Sequence, residues 1–252
     1  MGLGDDPELP GDDAELETML RQIAAQPPAN PARDNGPWDF LLRRADDEVA
    51  GRILPLVRRL FDDADPIVRR RAIDLSMNIS ADAPATVARL LEAARRPALY
   101  GGDEFEGATL RQRLTHALAN RASGSGRERE IAQALERLAG DDPPDDAAAT
   151  VLAKFAPDFA ERSTRRFAAR PEAERFCIDV AATFAVYQRD RLVRTLAGLR
   201  ALPAGAKQQI LDGLAGDLAL PAETIRKLTA KVGAPAPTTA PTLDECRRAL
   251  GA

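Results

Sequence analysis

The feature that most constrains this chain is the segment 46–79, in which two apolar stripes of helical period flank a short polar turn. Asp46 offers an N-cap, and Val49, Ile53, Leu56, Val57, Leu60 and Phe61 recur at the spacing that lines one face of a helix. Pro55 lies inside that helix, where it removes a backbone donor and should bend the axis. After Asp62-Asp63-Ala64-Asp65, Asp65 is a second N-cap and Pro66 takes the first helical position, where its missing N–H costs nothing. Val68, Ala72, Leu75 and Ile79 form the second stripe. Helices joined by so short a turn lie antiparallel and share one buried seam, so the unit is an αα-hairpin.

A shift of 42 residues sets Val68-Arg69-x-Arg71 on Leu110-Arg111-x-Arg113 and Asn78 on Asn120. Val87, Leu90 and Leu91, after a cap at Asp82, would supply the first helix of this second unit. The connection around Pro97 to Asp103 is longer than such a repeat requires, and loops that outgrow their scaffold often carry function.

The run Ile53-Leu54-Pro55-Leu56-Val57, followed by Leu60, Asp63, Val68-Arg69, Ala72 and Ile79, resembles a HEAT repeat through its spacing Pro-x7-Asp-x4-Val-Arg. One copy covers about 47–80 and a second about 83–122. The resemblance implies an armadillo-like α-solenoid. It also implies that Pro55, Asp63, Val68 and Arg69 are structural, the turn Asp and the Arg forming a ladder between neighbouring repeats. Ser76 and Met77 depart from the pattern, standing where the family has Leu and a small residue.

Beyond the hairpins the helical pattern continues without the repeat signature. Ile131, Leu135 and Leu138 mark one helix, and 176–187 is apolar over most of its girth, as befits the centre of the carboxy-terminal half. Leu192, Leu196 and Leu199, then Ile210, Leu211 and Leu214, then Ile225, Leu228 and Val232 mark three more. The organisation expected is a largely disordered segment 1–37 holding a helix over 15–23, a hairpin region 38–140, a helical region 141–232, and a Pro-rich linker with a terminal mini-helix over 233–252. The fold class is all-α, since aromatics make up only 4% and much of the 44% hydrophobic content is Ala and Leu.

Thirty-five basic residues against 39 acidic ones give a formal charge of −4, which draws the chain globally to neither nucleic acid nor anionic lipid. Cys177 and Cys246 stand in no metal-ligand or disulfide spacing, and the acidic start MGLGDDPELPGDD has no apolar core of a secretory signal, so a cytoplasmic protein without membrane insertion is expected. The single histidine, His116, lies mid-helix without a paired nucleophile, and the Gly-Gly and Gly-x-Gly pairs lack the strand and Lys-Ser/Thr of a phosphate loop. The Asp pairs sit at helix starts, where capping explains them. Neither catalytic residues nor metal or cofactor sites are assigned.

The expected role is recognition of another protein. The partner is placed on an outward strip of the second helices, Arg70, Ile73, Asp74 and Met77 continuing into Gln112, Thr115 and His116, unless the N-terminal segment or C-terminal tail covers it. The alternatives are a DNA-binding or DNA-glycosylase-type HEAT-like protein, for which the acidic charge and single Trp are unfavourable, and a helical accessory subunit of a larger bacterial assembly.

Overall fold

The computed structural model describes residues 10–25, 47–78, 83–101, 104–105, 108–233 and 240–252. Thirteen α-helices among these residues make the protein all-α. They fall into two compact units, Met1–Arg127 and Glu128–Ala252. None of the described helices is long and apolar enough to cross a membrane.

The first unit comprises α1 (Asp13–Ala25), α2 (Asp47–Leu60), α3 (Pro66–Asn78), α4 (Ala83–Arg95) and α5 (Leu110–Ala122). The Asp12 carboxylate starts α1 by accepting from the amides of Ala14 and Glu15 at 2.8 and 3.1 Å. Leu16, Leu20 and Ala24, spaced one turn apart, are fully buried as α1 packs on α2 and α3. In α2 the stripe Ile53, Leu56, Val57 and Leu60 is buried while Pro55 faces solvent, the side on which a missing donor is cheapest. Helix α2 packs on α3, α4 on α5, and α3 on α5. The proposed caps Asp46 and Asp82, along with Ile79 and Trp38, lie outside the described residues.

Between α4 and α5 the connection is not plain coil. It forms a 3-10 turn over Pro97–Tyr100 and a two-residue antiparallel pair in which Glu104 faces Thr109 and Phe105 faces Ala108. Thr109 then opens α5 with a capping box, its hydroxyl accepting from the Gln112 amide while the Gln112 side chain accepts from the Thr109 amide.

The second unit is built around α9 (Glu174–Tyr187). Its Phe176, Cys177, Val180, Ala181 and Phe184 are wholly buried, because the helix touches α7 (Ala149–Phe155), α8 (Pro157–Phe167), α10 (Arg189–Gly198), α11 (Ala204–Leu218) and α12 (Ala222–Val232). The expected centre is therefore the observed one. One boundary differs from expectation. Helix α6 (Glu128–Ala139), assigned by its sequence position to the hairpin region ending at 140, packs on α7 and belongs to this unit. Helix α13 (Leu243–Leu250), the terminal mini-helix, docks on α10 and α11 and buries Cys246 and Leu250 completely.

Candidate interaction surface

Two adjacent arginines at the start of α3 hold the long α4–α5 connection. The Arg69 Nε donates to the Leu99 carbonyl at 2.7 Å, a second nitrogen of the same fork reaches that oxygen, and the remaining one donates to the Asp63 and Ala64 carbonyls of the α2–α3 turn. The Arg70 Nε donates to the Tyr100 carbonyl. Its guanidinium lies so close to Gly101, at φ +78°, that a Cβ there would stand 2.8 Å from the Arg70 Nη2, so this position needs glycine for both space and backbone conformation. Tyr100 itself is buried edge-on to Phe61, with ring centroids 6.5 Å apart, and the Arg69 guanidinium stands 6.0 Å from its ring centre. Fixed at its base in this way, the connection leaves Leu99 52% exposed, and Ile67 in the abutting first turn of α3 is 40% exposed. Pro97 and Ala98 are exposed as well.

The strip expected on the second helices is not a free surface. Arg70, Ile73 and Thr115 are buried, and the side chain of Asp74 is 14% exposed, pairing with Arg113 and, at 3.5 Å, with Arg71. The reason is geometric: residues that point away from the seam with α2 point into the seam with α5, while α1 packs on α3 as well. Burial raises the Asp74 carboxyl above its ordinary value, and the charges of Arg113 and Arg71 pull against that rise. Farther along the same seam, buried Arg121 donates to the Ser76 carbonyl near the end of α3. Of the expected strip, Gln112 and His116 are exposed, Gln112 being engaged in the α5 cap; the Met77 side chain lies outside the described residues.

The structural quartet is partly re-paired. Val68 is fully buried in its hairpin. Asp63 does not direct its carboxylate to Arg69, which takes the Asp63 carbonyl instead; the carboxylate accepts from Arg21 of α1 at 2.6 and 3.2 Å and from the Asp65 amide at 2.8 Å. Those hydrogen bonds, Arg21 first, hold Asp63 below the usual carboxylate range. Arg89 of α4 adds a fork to the Asp62 carboxylate at 3.0 and 2.7 Å, so the α2–α3 turn is tied to both the preceding and the following helix.

Sequence reasoning missed the main charged cluster of the second unit. Glu161 on α8, with a side chain 8% exposed, accepts from Arg165 at 2.9 Å and from Arg194 at 2.5 and 2.8 Å, with Arg191 at 3.4 Å. The hydrogen bond from Arg194 holds its carboxyl below the ordinary glutamate value. The i, i+4 pair Glu161–Arg165 was readable, whereas Arg191 and Arg194 are brought in only by the α8–α10 contact. Burial pushes the Cys177 thiol up to about 12, far from the range in which a thiolate attacks.

Comparison with known protein families, with curated proteins and with solved structures yields no match.

Proposed function

We propose that this protein is a non-enzymatic recognition module built on HEAT-like hairpins, and that it presents the connection at Pro97–Gly101 to a protein partner. The observation that carries the reading is the pairing of a rigid base with an open tip. Arg69 and Arg70 spend their donors on the Leu99 and Tyr100 carbonyls, yet the Leu99 side chain remains half exposed, as does Ile67 on the helix against which this turn packs. Holding in place the backbone that carries an apolar residue lowers the ordering cost that a partner would otherwise meet on binding. The ionisable groups of the interior support the same reading, because Asp74, Arg121 and Glu161 are engaged in contacts within the protein and Cys177 is held as the thiol.

The test is crosslinking capture from the native host with wild type and with Leu99→Glu and Ile67→Glu. Loss of the same captured partner in both variants, with unchanged melting temperature, is the expected result. Retained capture removes the loop from the interface. Duplex DNA binding that weakens steeply with salt would replace this reading by the nucleic-acid one, since phosphate contacts release counterions.

A further inference from the structure

We infer that the face formed by α10 and α11 is a binding site for a short amphipathic helix, filled in cis by α13 and open in trans to α13 of a second copy of this chain. With eight residues, α13 is well below the length at which an isolated helix persists in water, so its helicity depends on what it docks against. It docks by one stripe: Cys246, Ala249 and Leu250 are buried at i, i+3 and i+4, while Asp244, Glu245, Arg247 and Arg248 face solvent.

The receiving surface matches the end of that helix as well as its side. The last carbonyls of a helix lack internal donors and carry partial negative charge. Here Arg200 Nε donates to the Ala249 carbonyl at 2.9 Å and Lys207 Nζ to the Gly251 carbonyl at 3.5 Å. Gly251 turns left-handed at φ +67°, and a Cβ on it would lie 3.6 Å from Arg200 Cγ. Stripe, carbonyl ends and a closing glycine together define the ligand, and a second copy of this chain carries all three.

The length of the tether permits exchange. The connection 233–242 contains Pro235, Pro237 and Pro241. Ten residues, 233–242, separate α12 from α13, and a chain of that length reaches at most about 35 Å, enough for the helix to settle on an identical body with no new contact required.

The test titrates a fluorescent peptide spanning 240–252 into the full chain carrying Leu250→Asp, whose own helix no longer fits the site. Saturable binding about tenfold tighter than to wild type is expected, because the wild-type site is occupied for most of the time. A peptide carrying Leu250→Asp should bind neither protein. Equal binding to wild type and variant, or no binding to a variant that melts cooperatively, overturns the proposal. If the variant fails to fold, the milder Leu250→Ala alters the docked helix while leaving the receiving surface intact, and peptide binding should then exceed that of wild type. Sedimentation of the wild-type chain completes the test. A dimer that grows with concentration and is dissolved by excess peptide supports exchange, and a chain that stays monomeric up to several hundred micromolar overturns it.

Discussion

The α3–α5 seam and the surroundings of α9 solve one problem, burying a helix on several sides, with opposite chemistry. Around α9 the buried side chains are Phe176, Val180, Ala181 and Phe184. On α3 and α5 buried Arg71, Thr115 and Arg121, with Asp74 beneath Arg113, stand among apolar Ile73, Leu114 and Leu118. An apolar seam gains free energy with each methylene but accepts many registers; a seam of forked cations and carbonyl acceptors is satisfied in few arrangements, and losing one partner strands another in a dry place. The first design stabilises a body, and the second fixes the position of what it carries, here the turn Pro97–Tyr100.

The comparison can be broken most forcefully at Phe184. Phe184→Ala should cost the second unit about 3–5 kcal/mol through lost transfer energy and the residual cavity, read as a lower denaturant midpoint with trapping of the Cys177 thiol as reporter. An effect below 1 kcal/mol would mean that α9 is not the energetic centre. Next comes Asp74→Ala, expected to cost about 3 kcal/mol because Arg113 and Arg71 lose their carboxylate. The double change Asp74→Leu with Arg113→Met should recover the part of that loss owed to Arg113, Arg71 still lacking its carboxylate, while loosening the Pro97–Gly101 turn, seen as faster amide exchange. Full recovery with unchanged exchange would show that the polar seam specifies nothing.

Smaller still, Arg69→Ala should cost about 1–3 kcal/mol by leaving the carbonyls of Asp63, Ala64 and Leu99 without their donor, and Arg69→Lys should rescue little because an ammonium cannot fork. Equal melting temperatures for all three proteins would contradict this. The last effect is a pH dependence. Glu161 titrates below its ordinary value when folded, so its contribution is complete above the unfolded value and is lost as pH falls through that value toward the lower folded one. Acid titration of the second unit should therefore show a stability loss that Glu161→Gln flattens; parallel curves for wild type and variant would assign the acid response to other carboxyls.

How much was legible depended on whether a pattern was local. The α2 stripe, Pro66 at the head of α3, the girth of α9 and the terminal mini-helix are written in residues within a few turns of one another, and all are observed. Helices α7 and α8 were not read. The seven residues of α7 are too few to display a helical period, and α8 places Glu161, Ser163 and Thr164 at buried positions where an apolar stripe would be sought. The partner strip failed for a different reason. Periodicity gives the angle of Arg70, Ile73 and Asp74 around their helix but not which element waits at that angle, and α5 does. The exposed Leu99 was approached only through loop length, since exposure is a property of the assembled chain.

The hold on that loop has a consequence for how such a surface can change. Arg69 and Arg70 grip Leu99 and Tyr100 by main-chain oxygens, a feature every amino acid shares. The residue at position 99 can therefore be exchanged for nearly any other without loosening the grip, whereas Gly101, wedged against Arg70, cannot. The loop is in effect a socket with an interchangeable tip. Drift or deliberate randomisation at 98 and 99 can change the side chains shown to solvent while the hairpins beneath keep their stability.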